Sequence, residues 1–207
     1  MKINWRGYEF KWIQGGLGML TENIAGHVHS KNSYELHYII GGKGELLTAE
    51  KSYNLSEEMF FITGPNVYHE QKNQKEDPLT EVHCYLQCSG RKTNDILGNI
   101  FFEHHFYIGQ QKKFKRYFLN IAKELEQKNI GYESIVECNL EYILTEYTRS
   151  FIKEYKLPKK EDMSDLNDAR FLQIEVELMT NGDDVTLSLL AEKIGVCERQ
   201  VQRLLEK

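Results

Sequence analysis

The 207-residue sequence is poor in the features that mark secreted, metal-stapled or membrane-spanning proteins. It has three prolines and four cysteines, and no two cysteines form the Cys-x-x-Cys pair of a zinc site. No segment is apolar and long enough to span a membrane, and the N-terminus lacks the apolar stretch of a signal peptide. These absences predict reduced thiols, no membrane association and a cytoplasmic protein.

Basic charge is also scarce. The chain carries 26 Lys and Arg residues against 31 Asp and Glu residues, for a formal net charge of -5. A protein whose whole surface coats nucleic acid is normally basic, so any contact with DNA is expected to be local. The length allows one large domain or two small ones, each able to bury a core.

The first half of the chain, to about residue 108, has the pattern of short strands separated by turns. Stretches rich in β-branched and aromatic residues alternate with turn signals such as the loop Gly64-Pro65-Asn66. Four strands are predicted on this basis: Ser33–Ile40, Glu45–Ala49, Met59–Thr63 and Glu81–Gln87. Several short strands at this spacing are typical of a β-barrel or a β-sandwich.

Histidines and one glutamate form the most specific chemical pattern of this half. His27 and His29 are two residues apart and therefore point to one face of a strand, as do Glu35 and His37. Together with His69, which follows the Gly64-Pro65 loop, they resemble the two cupin motifs: His-x-His with a following Glu, then a Gly/Pro loop ending in His. Five residues separate His29 from Glu35, where the cupin pattern has three or four, and His37 is an extra candidate. The ligand set therefore stays open.

Two kinds of occupant fit this pattern. Neutral imidazoles and a carboxylate suit Mn, Fe, Ni, Zn or Cu, whereas a polar interior without metal would hydrogen-bond an organic ligand. The prediction adopted is an organic effector and no metal cofactor. If a transition metal is present, its expected ligands are His27, His29, Glu35 and His69.

The strand Glu81–Gln87 has two distinct faces. Its polar face carries His83, Tyr85 and Gln87, and its apolar face carries Val82, Cys84 and Leu86. The His and Glu pattern favours the polar face as the one that points inward, where a tyrosine can stack on a ligand. The predicted effector-binding residues are therefore His27, His29, Glu35, His37, His69 and Tyr85.

From Gln110 the apolar residues follow a helical period. The first helix has a stripe of Phe114, Phe118, Ile121 and Leu125, and the second, over residues 132–155, has Val136, Leu140, Ile143, Tyr147 and Phe151. Either both helices pack on the barrel, or one stripe meets the same stripe of a second subunit in a C2 dimer. Residues 157–166 combine proline with charge and are expected to be a linker, followed by a third helix over Asn167–Met179.

The segment Leu187–Glu206 (LSLLAEKIGVCERQVQRLLE) has the spacing of a helix-turn-helix. Ala191 is small enough for close helix crossing, Gly195 suits the turn, and Thr186 is a plausible N-cap. The second helix is expected to begin near Cys197, where the cap is usually a serine. Its predicted outer face carries Arg199, Gln202 and Arg203, side chains that read base edges or touch phosphates.

These parts, in this order, resemble an AraC/XylS-type transcription regulator. The resemblance is carried by HVHSKNSYELHYIIGGKG, EEMFFITGPNVYHE and VTLSLLAEKIGVCERQVQRLLEK, the last being the most specific. It implies a small-molecule sensor whose effector is often a sugar, dimerisation through the helices after the barrel, and a reader helix in the major groove. Family members carry two helix-turn-helix units, and this sequence matches only the first, so the chain is expected to be either a naturally truncated regulator or a fragment of a longer one.

The sequence thus predicts an α+β chain with four parts. These are a cupin-like effector-binding β-barrel (1–109), a helical dimerisation segment (110–156), a linker (157–166) and the first helix-turn-helix unit of a truncated DNA-binding domain (167–207). The expected function is effector-responsive transcription regulation by a non-enzymatic homodimer, with double-stranded DNA and a small polar effector as partners. The alternative is a cupin metalloenzyme, an isomerase or an oxygenase, that uses the His and Glu set.

Overall fold

The computed structural model describes residues 1–30, 32–89, 95–152, 166–181 and 185–205. The chain divides into two compact units, with the division between Lys153 and Glu154. Most of the predicted linker, residues 157–165, lies outside the described residues, and Leu166 already begins a helix. Within the described ranges, no helix is both long enough and apolar enough to cross a lipid bilayer.

Strands dominate the first part of the first unit. The described residues contain ten: β1 (Lys2–Trp5), β2 (Tyr8–Met19), β3 (Ile24–His27), β4 (Ser33–Gly41), β5 (Gly44–Thr48), β6 (Ser52–Leu55), β7 (Met59–Thr63), β8 (His69–Asn73), β9 (Thr80–Cys88) and β10 (Phe106–Gln110). The four predicted strands correspond to β4, β5, β7 and β9. The glycine-rich β2 was not expected from the sequence, because glycine weakens a strand pattern.

The strands form two antiparallel sheets. The first sheet has the order β1-β2-β9-β4-β7-β10, and the second has the order β3-β8-β5-β6. The prediction of an α+β fold is confirmed, but the predicted barrel is a sandwich of two separate sheets. Successive side chains of β9 point to opposite faces of the first sheet. Val82, Cys84 and Leu86 are fully buried on the face that points away from the histidines of the second sheet.

Three helices complete the first unit: α1 (Ile96–Glu103), α2 (Lys115–Gln127) and α3 (Tyr132–Arg149). The helical prediction beginning at Gln110 was wrong at its start, because Gln110 ends β10 and a short 3₁₀ turn precedes α2. Helix α1 is also an addition to the predicted pattern. Asp95 caps it by accepting a hydrogen bond from the backbone N–H of Gly98 at 3.0 Å.

The apolar stripes of α2 and α3 are buried inside the unit. Phe118, Ile121, Leu140 and Ile143 belong to one core with the apolar face of the first sheet. Trp5 connects β1 of the first sheet to α3, because its Nε1–H donates a hydrogen bond to Thr145 Oγ1 at 3.0 Å. Of the two alternatives for the stripes, packing on the unit's own sheet is therefore the one observed, and a partner subunit would have to meet the outer faces of these helices.

The second unit is a small helical cluster of α4 (Leu166–Asn181), α5 (Leu187–Ile194) and α6 (Glu198–Leu205). Its hydrophobic core consists of Ile174, Leu190, Ala191, Ile194, Val201 and Leu204. Helix α5 ends at Gly195, whose φ of 66° is the left-handed conformation that glycine adopts without strain. The N–H groups of Gly195 and Val196 then bond to the carbonyls of Glu192 and Ala191, which is the Schellman pattern of a helix end.

Candidate functional site

The polar interior of the sandwich brings together residues from both sheets. His27 ends β3 and pairs with His69 of β8, while His29 forms an isolated bridge to Pro65. Glu35 projects from β4 in the opposite sheet, and its Oε2 lies 3.1 Å from His29 Nε2 and 3.8 Å from His69 Nε2. The carboxylate of Glu35 therefore lies between the two sheets, close to the imidazoles of His29 and His69.

The extra candidate, His37, also lies in this interior. Its Nε2 is 3.2 Å from Glu35 Oε2, and its Nδ1 donates a hydrogen bond to Glu81 Oε1 at 3.1 Å. Gln71 Nε2 donates to the other oxygen of Glu81 at 2.9 Å. His37, Gln71 and Glu81 are each at most 3% exposed, so this is a buried chain of charges and hydrogen bonds.

The charges in this chain stabilise each other. Burial lowers the pKa of His37, but the negative charges of Glu81 and Glu35 outweigh it and raise this pKa to about 10. Burial would raise the pKa of Glu35, yet the charge of His37 and the contacts with three imidazoles hold it well below its usual range. The pKa of Glu81 is lowered against the effect of burial in the same way, chiefly by His37. The metal-free site thus holds one imidazolium between two carboxylates.

Sequence reasoning missed Glu81 and Gln71. Glu81 has the same parity along β9 as His83 and Tyr85, so the alternation that turned those residues inward also applied to Glu81. Gln71 is two residues after His69 on β8 and lies on the same face. The signal was present in both cases, but neither residue belongs to the motif that drew attention to the histidines.

Tyr85 is the aromatic residue of the predicted set, and it lies against the cluster. Its ring centroid is 5.1 Å from that of His29. Other aromatic residues of the first half have a structural place instead: Trp5, Tyr8, Tyr34 and Tyr38 are at most 2% exposed in the core between the first sheet and the helices. The polar and aromatic faces of the first sheet therefore serve two different layers.

The donor atoms of the cluster fit a metal ion. His27, His29, Glu35 and His69 each offer one ligand atom, and these four atoms lie within 4.8 Å of one another. The Nδ1 atoms of His27 and His69 bond to the backbone carbonyls of Ala25 and Val67, at 2.8 and 3.1 Å. Such a bond places the hydrogen on Nδ1, so that in the neutral imidazole the lone pair of Nε2 is available to a metal ion.

The second unit places the predicted DNA-contacting residues on one exposed helix. Arg199, Gln202 and Arg203 are exposed on α6, whereas Val201 and Leu204 are buried on its other side. The start of α6 is fixed by Gln200, whose Oε1 accepts a hydrogen bond from the backbone N–H of Cys197 at 3.2 Å. Thr186 caps α5 as expected, accepting from Leu189 N at 3.2 Å.

Several solved structures are similar to this chain. ToxT from Vibrio cholerae strain SCE256, with a bound unsaturated fatty acid, is 10% identical over 98% of this chain and 74% of its own, with a TM-score of 0.44. A cupin protein from Bacteroides fragilis is 16% identical over 44% of this chain and 74% of its own, with a TM-score of 0.32. A predicted oxalate decarboxylase from Thermotoga maritima is 17% identical over 42% of this chain and 90% of its own, with a TM-score of 0.35.

No curated protein sequence matches the chain. The family model for the AraC-like ligand binding domain does match, over residues 21–144. That range is more than half of the chain, and it contains every residue of the His and Glu cluster together with α1, α2 and most of α3. The chain therefore belongs to the family of the AraC-like ligand binding domain.

Proposed function

We propose that this chain is a non-enzymatic transcription regulator that binds a small effector in the sandwich interior and DNA through α6. The family match supports a ligand-binding role for the first unit. The observation that carries the DNA part is the exposed face of α6, on which Arg199, Gln202 and Arg203 lie together. Arginine and glutamine at such positions recognise guanine and adenine edges in the major groove.

The geometry of the second unit supports a helix-turn-helix. Gly195 gives a turn of three residues between α5 and α6, and the small Ala191 is buried where the helices meet. The net charge of the outer face is small, because Glu198 lies on α6 beside the two arginines. We therefore expect binding that is weak for a single unit and depends only shallowly on salt concentration.

The effector site of the proposal is the cluster of His27, His29, Glu35, His37 and His69, with Tyr85 beside it. A ligand that binds one arrangement of the sandwich better than another would shift the population of DNA-binding states. A homodimer is part of the proposal. Its contact surface would be the outer face of α2 and α3, where Leu119 and Ile135 are 38% and 41% exposed.

DNA recognition is tested by selecting duplexes with a randomised centre on the full chain and measuring their affinity by fluorescence anisotropy. Arg203→Ala is expected to weaken binding of the selected duplex by about 1–3 kcal/mol and to relax the sequence specificity at one base pair. Lys123→Ala is the matched control, since it removes one exposed positive charge on α2, in the other unit. Equal losses for both variants, or failure to select any sequence, would refute base reading by α6.

Effector binding is tested by thermal unfolding of the full chain with sugars, hydroxycarboxylic acids and fatty acids. A binding compound is expected to raise the Tm of the first unit, and the shift should be lost in His69→Gln. The metalloenzyme alternative is favoured by one observation, the convergence of three imidazoles and a carboxylate. It requires chemical turnover of the bound compound, which product analysis detects, whereas the sensor returns its effector unchanged.

A further inference from the structure

A second cavity lies in the first unit, on the face of the first sheet against which α1 packs. Its volume is about 770 Å³, which is in the range of sites that hold small organic molecules. It opens between the start of β4, the end of β9 and the C-terminal half of α1. Its aromatic and polar walls include Tyr8, Asn32, Tyr34, Asn99, Phe102 and Glu103. The residues of the His and Glu cluster, all of which the structure describes, do not line it, so the two sites are separate.

The packing of α1 gives this cavity a fixed frame. Near the start of the helix, Gly98 lies so close to Tyr8 that an added Cβ would be 2.1 Å from the tyrosine ring. Toward the end of the helix, the ring centroids of Phe102 and Tyr8 are 4.7 Å apart. His105 Nε2 donates a hydrogen bond to the carbonyl of Phe102 at 2.9 Å, and the carbonyl of His105 accepts from the N–H of Gly64 at 2.7 Å. Both ends of α1 are therefore held against the sheet, and the space between them is preformed.

Tyr34 supplies this cavity with a hydroxyl that is not used by the fold. The residue is 1% exposed, and none of the described residues forms a hydrogen bond with its Oη. Burial raises the pKa of Tyr34 well above its usual range, and the thiol of Cys88, which lines the same cavity, raises it further. The influence of Cys88 places the hydroxyl on the cavity side. Because folded proteins bond nearly all of their buried hydroxyls, this protonated donor is available to a bound molecule.

The edge of the cavity adds amides and one charge. Asn32, Asn66 and Asn99 are exposed there, and each amide can both donate and accept hydrogen bonds. Glu103 is the one residue with a charged carboxylate or ammonium among the described residues that line the cavity, and it forms no ion pair within the described part of the chain. Aromatic ring faces attract positive charge, as a carboxylate does. The combination of aromatic walls and a single carboxylate therefore favours a cation that carries a flat ring.

We propose that this cavity is a second small-molecule site, separate from the effector site, and that it binds an aromatic amine with a hydrogen-bond acceptor on its ring. The ring of the ligand packs against Tyr8 and Phe102. The hydroxyl of Tyr34 donates to the acceptor, and the carboxylate of Glu103 pairs with the ammonium group. This site goes beyond the proposed function, because it requires neither the His and Glu cluster nor the binding of DNA.

The first test uses the full chain with tyramine as the probe, titrated by saturation-transfer NMR. Tyramine is expected to bind saturably with a Kd of about 1 mM or tighter, as suits a compound of its size. The matched compound 4-hydroxyphenylacetate has a carboxylate in place of the amine and is expected to bind at least about 5-fold more weakly, since Glu103 repels it. Absence of saturable tyramine binding up to about 10 mM, or equal affinity for the two compounds, would overturn the proposal.

Tyr34→Phe tests the hydrogen bond to the ligand. It is expected to weaken tyramine binding by about 3–10-fold and to leave the affinity for phenethylamine, which lacks the ring hydroxyl, unchanged. Tyr38→Phe is the matched control, because Tyr38 Oη is also buried without a partner but Tyr38 does not line the cavity. Both variants should keep the Tm of the first unit at or above that of wild type, since each removes an unpaired hydroxyl. Equal losses for the two amines in Tyr34→Phe, or the same loss in Tyr38→Phe, would refute the direct bond.

Glu103→Gln tests the charge. It is expected to weaken tyramine binding by about 2–5-fold at low ionic strength, and the loss should shrink as salt is added. Glu126→Gln is the control, because it removes an exposed carboxylate from α2 that does not line the cavity. Unchanged affinity in Glu103→Gln at low salt would refute the pairing of Glu103 with the ammonium group.

His69→Gln separates this site from the effector site. Tyramine binding is expected to be the same in His69→Gln as in wild type, because His69 lies in the interior of the sandwich and does not line the cavity. If His69→Gln abolishes tyramine binding and Tyr34→Phe leaves it intact, the compound occupies the His and Glu cluster and the second site is overturned. If tyramine binds as expected but no compound binds at the cluster, the second site stands and the effector site alone is refuted.

Discussion

Glu81→Gln isolates the charge that holds His37 in the sandwich interior. Glu81 is 3% exposed and accepts hydrogen bonds from His37 Nδ1 at 3.1 Å and Gln71 Nε2 at 2.9 Å. Glutamine has nearly the same shape, so the variant opens no cavity. It removes the negative charge. It also places an amide N–H donor opposite either His37 Nδ1 or Gln71 Nε2, both of which are hydrogen-bond donors to Glu81.

The size of the effect follows from the shifted pKa of His37. With this pKa raised from 6.5 to about 10, the charged imidazole stabilises the metal-free fold by about 4 kcal/mol at pH 7. Glu81 and Glu35 share this stabilisation. Loss of Glu81 is therefore expected to lower the free energy of unfolding by about 2 kcal/mol at pH 7, somewhat below the usual cost of breaking a buried pair.

The sign of the pH dependence is fixed by the direction of the shift. A pKa that is raised in the folded state contributes stability that is complete below pH 6.5 and is lost as the pH rises through about 10. The lowered pKa of Glu81 keeps that carboxylate charged throughout this window. The difference between wild type and Glu81→Gln should consequently be largest near pH 6 and shrink toward pH 10.

Urea unfolding in the presence of EDTA measures this difference. Both tryptophans, Trp5 and Trp12, lie in the first unit, so their fluorescence follows its unfolding. Glu70→Gln, which removes a negative charge from β8 in the second sheet, is the control, expected to change stability by less than about 0.5 kcal/mol. A difference between wild type and Glu81→Gln that is constant from pH 6 to pH 10, or absent at pH 6, would refute the buried charge chain.

Variants at three further positions test local conformation by thermal and chemical unfolding followed by circular dichroism. Gly195→Ala meets no atom within 4 Å but requires a φ of 66°, so it is expected to cost about 1–2 kcal/mol, most of which Gly195→Asn should recover. Lys128 ends α2 at a φ of 49°, and Lys128→Gly is expected to add about 0.5–1 kcal/mol of stability; a loss would contradict the left-handed helix end. Asp95→Ala removes both the cap on Gly98 and the ion pair with Arg6, costing about 1–2 kcal/mol, whereas Asp95→Asn keeps the cap; equal losses would argue against capping.

The sequence anticipated the residues of the site better than the layers around it. The spacing of His27, His29, Glu35 and His69 matches a motif that can be recognised along the chain, whereas their convergence depends on how the two sheets face each other. Glu81 obeys the strand alternation of β9 but belongs to no motif, and its importance depends on contact with His37 across two paired strands. Such contacts are set by register, which a single sequence does not reveal.

The remaining differences have similar physical causes. The helical period of α2 and α3 indicated an apolar face, but periodicity does not say whether a sheet or a second subunit covers it. Glycines at positions 15, 16 and 18 obscure the strand pattern of β2 in the sequence, because glycine is more typical of turns. In the structure, β2 is held as a strand by its pairing with β9. In contrast, the Gly195 turn and the Thr186 cap are local signals, and the structure has both where the sequence indicated them.

The central claim is that occupancy of the sandwich interior changes DNA binding by α6. The most direct measurement is the Kd of the full chain for its selected duplex, with and without the compound that gives the largest thermal shift. The account predicts a change of about 5–150-fold in wild type, the usual range of allosteric coupling, and no change in His69→Gln. An identical Kd with and without the compound in wild type, at concentrations that saturate the thermal shift, would contradict it.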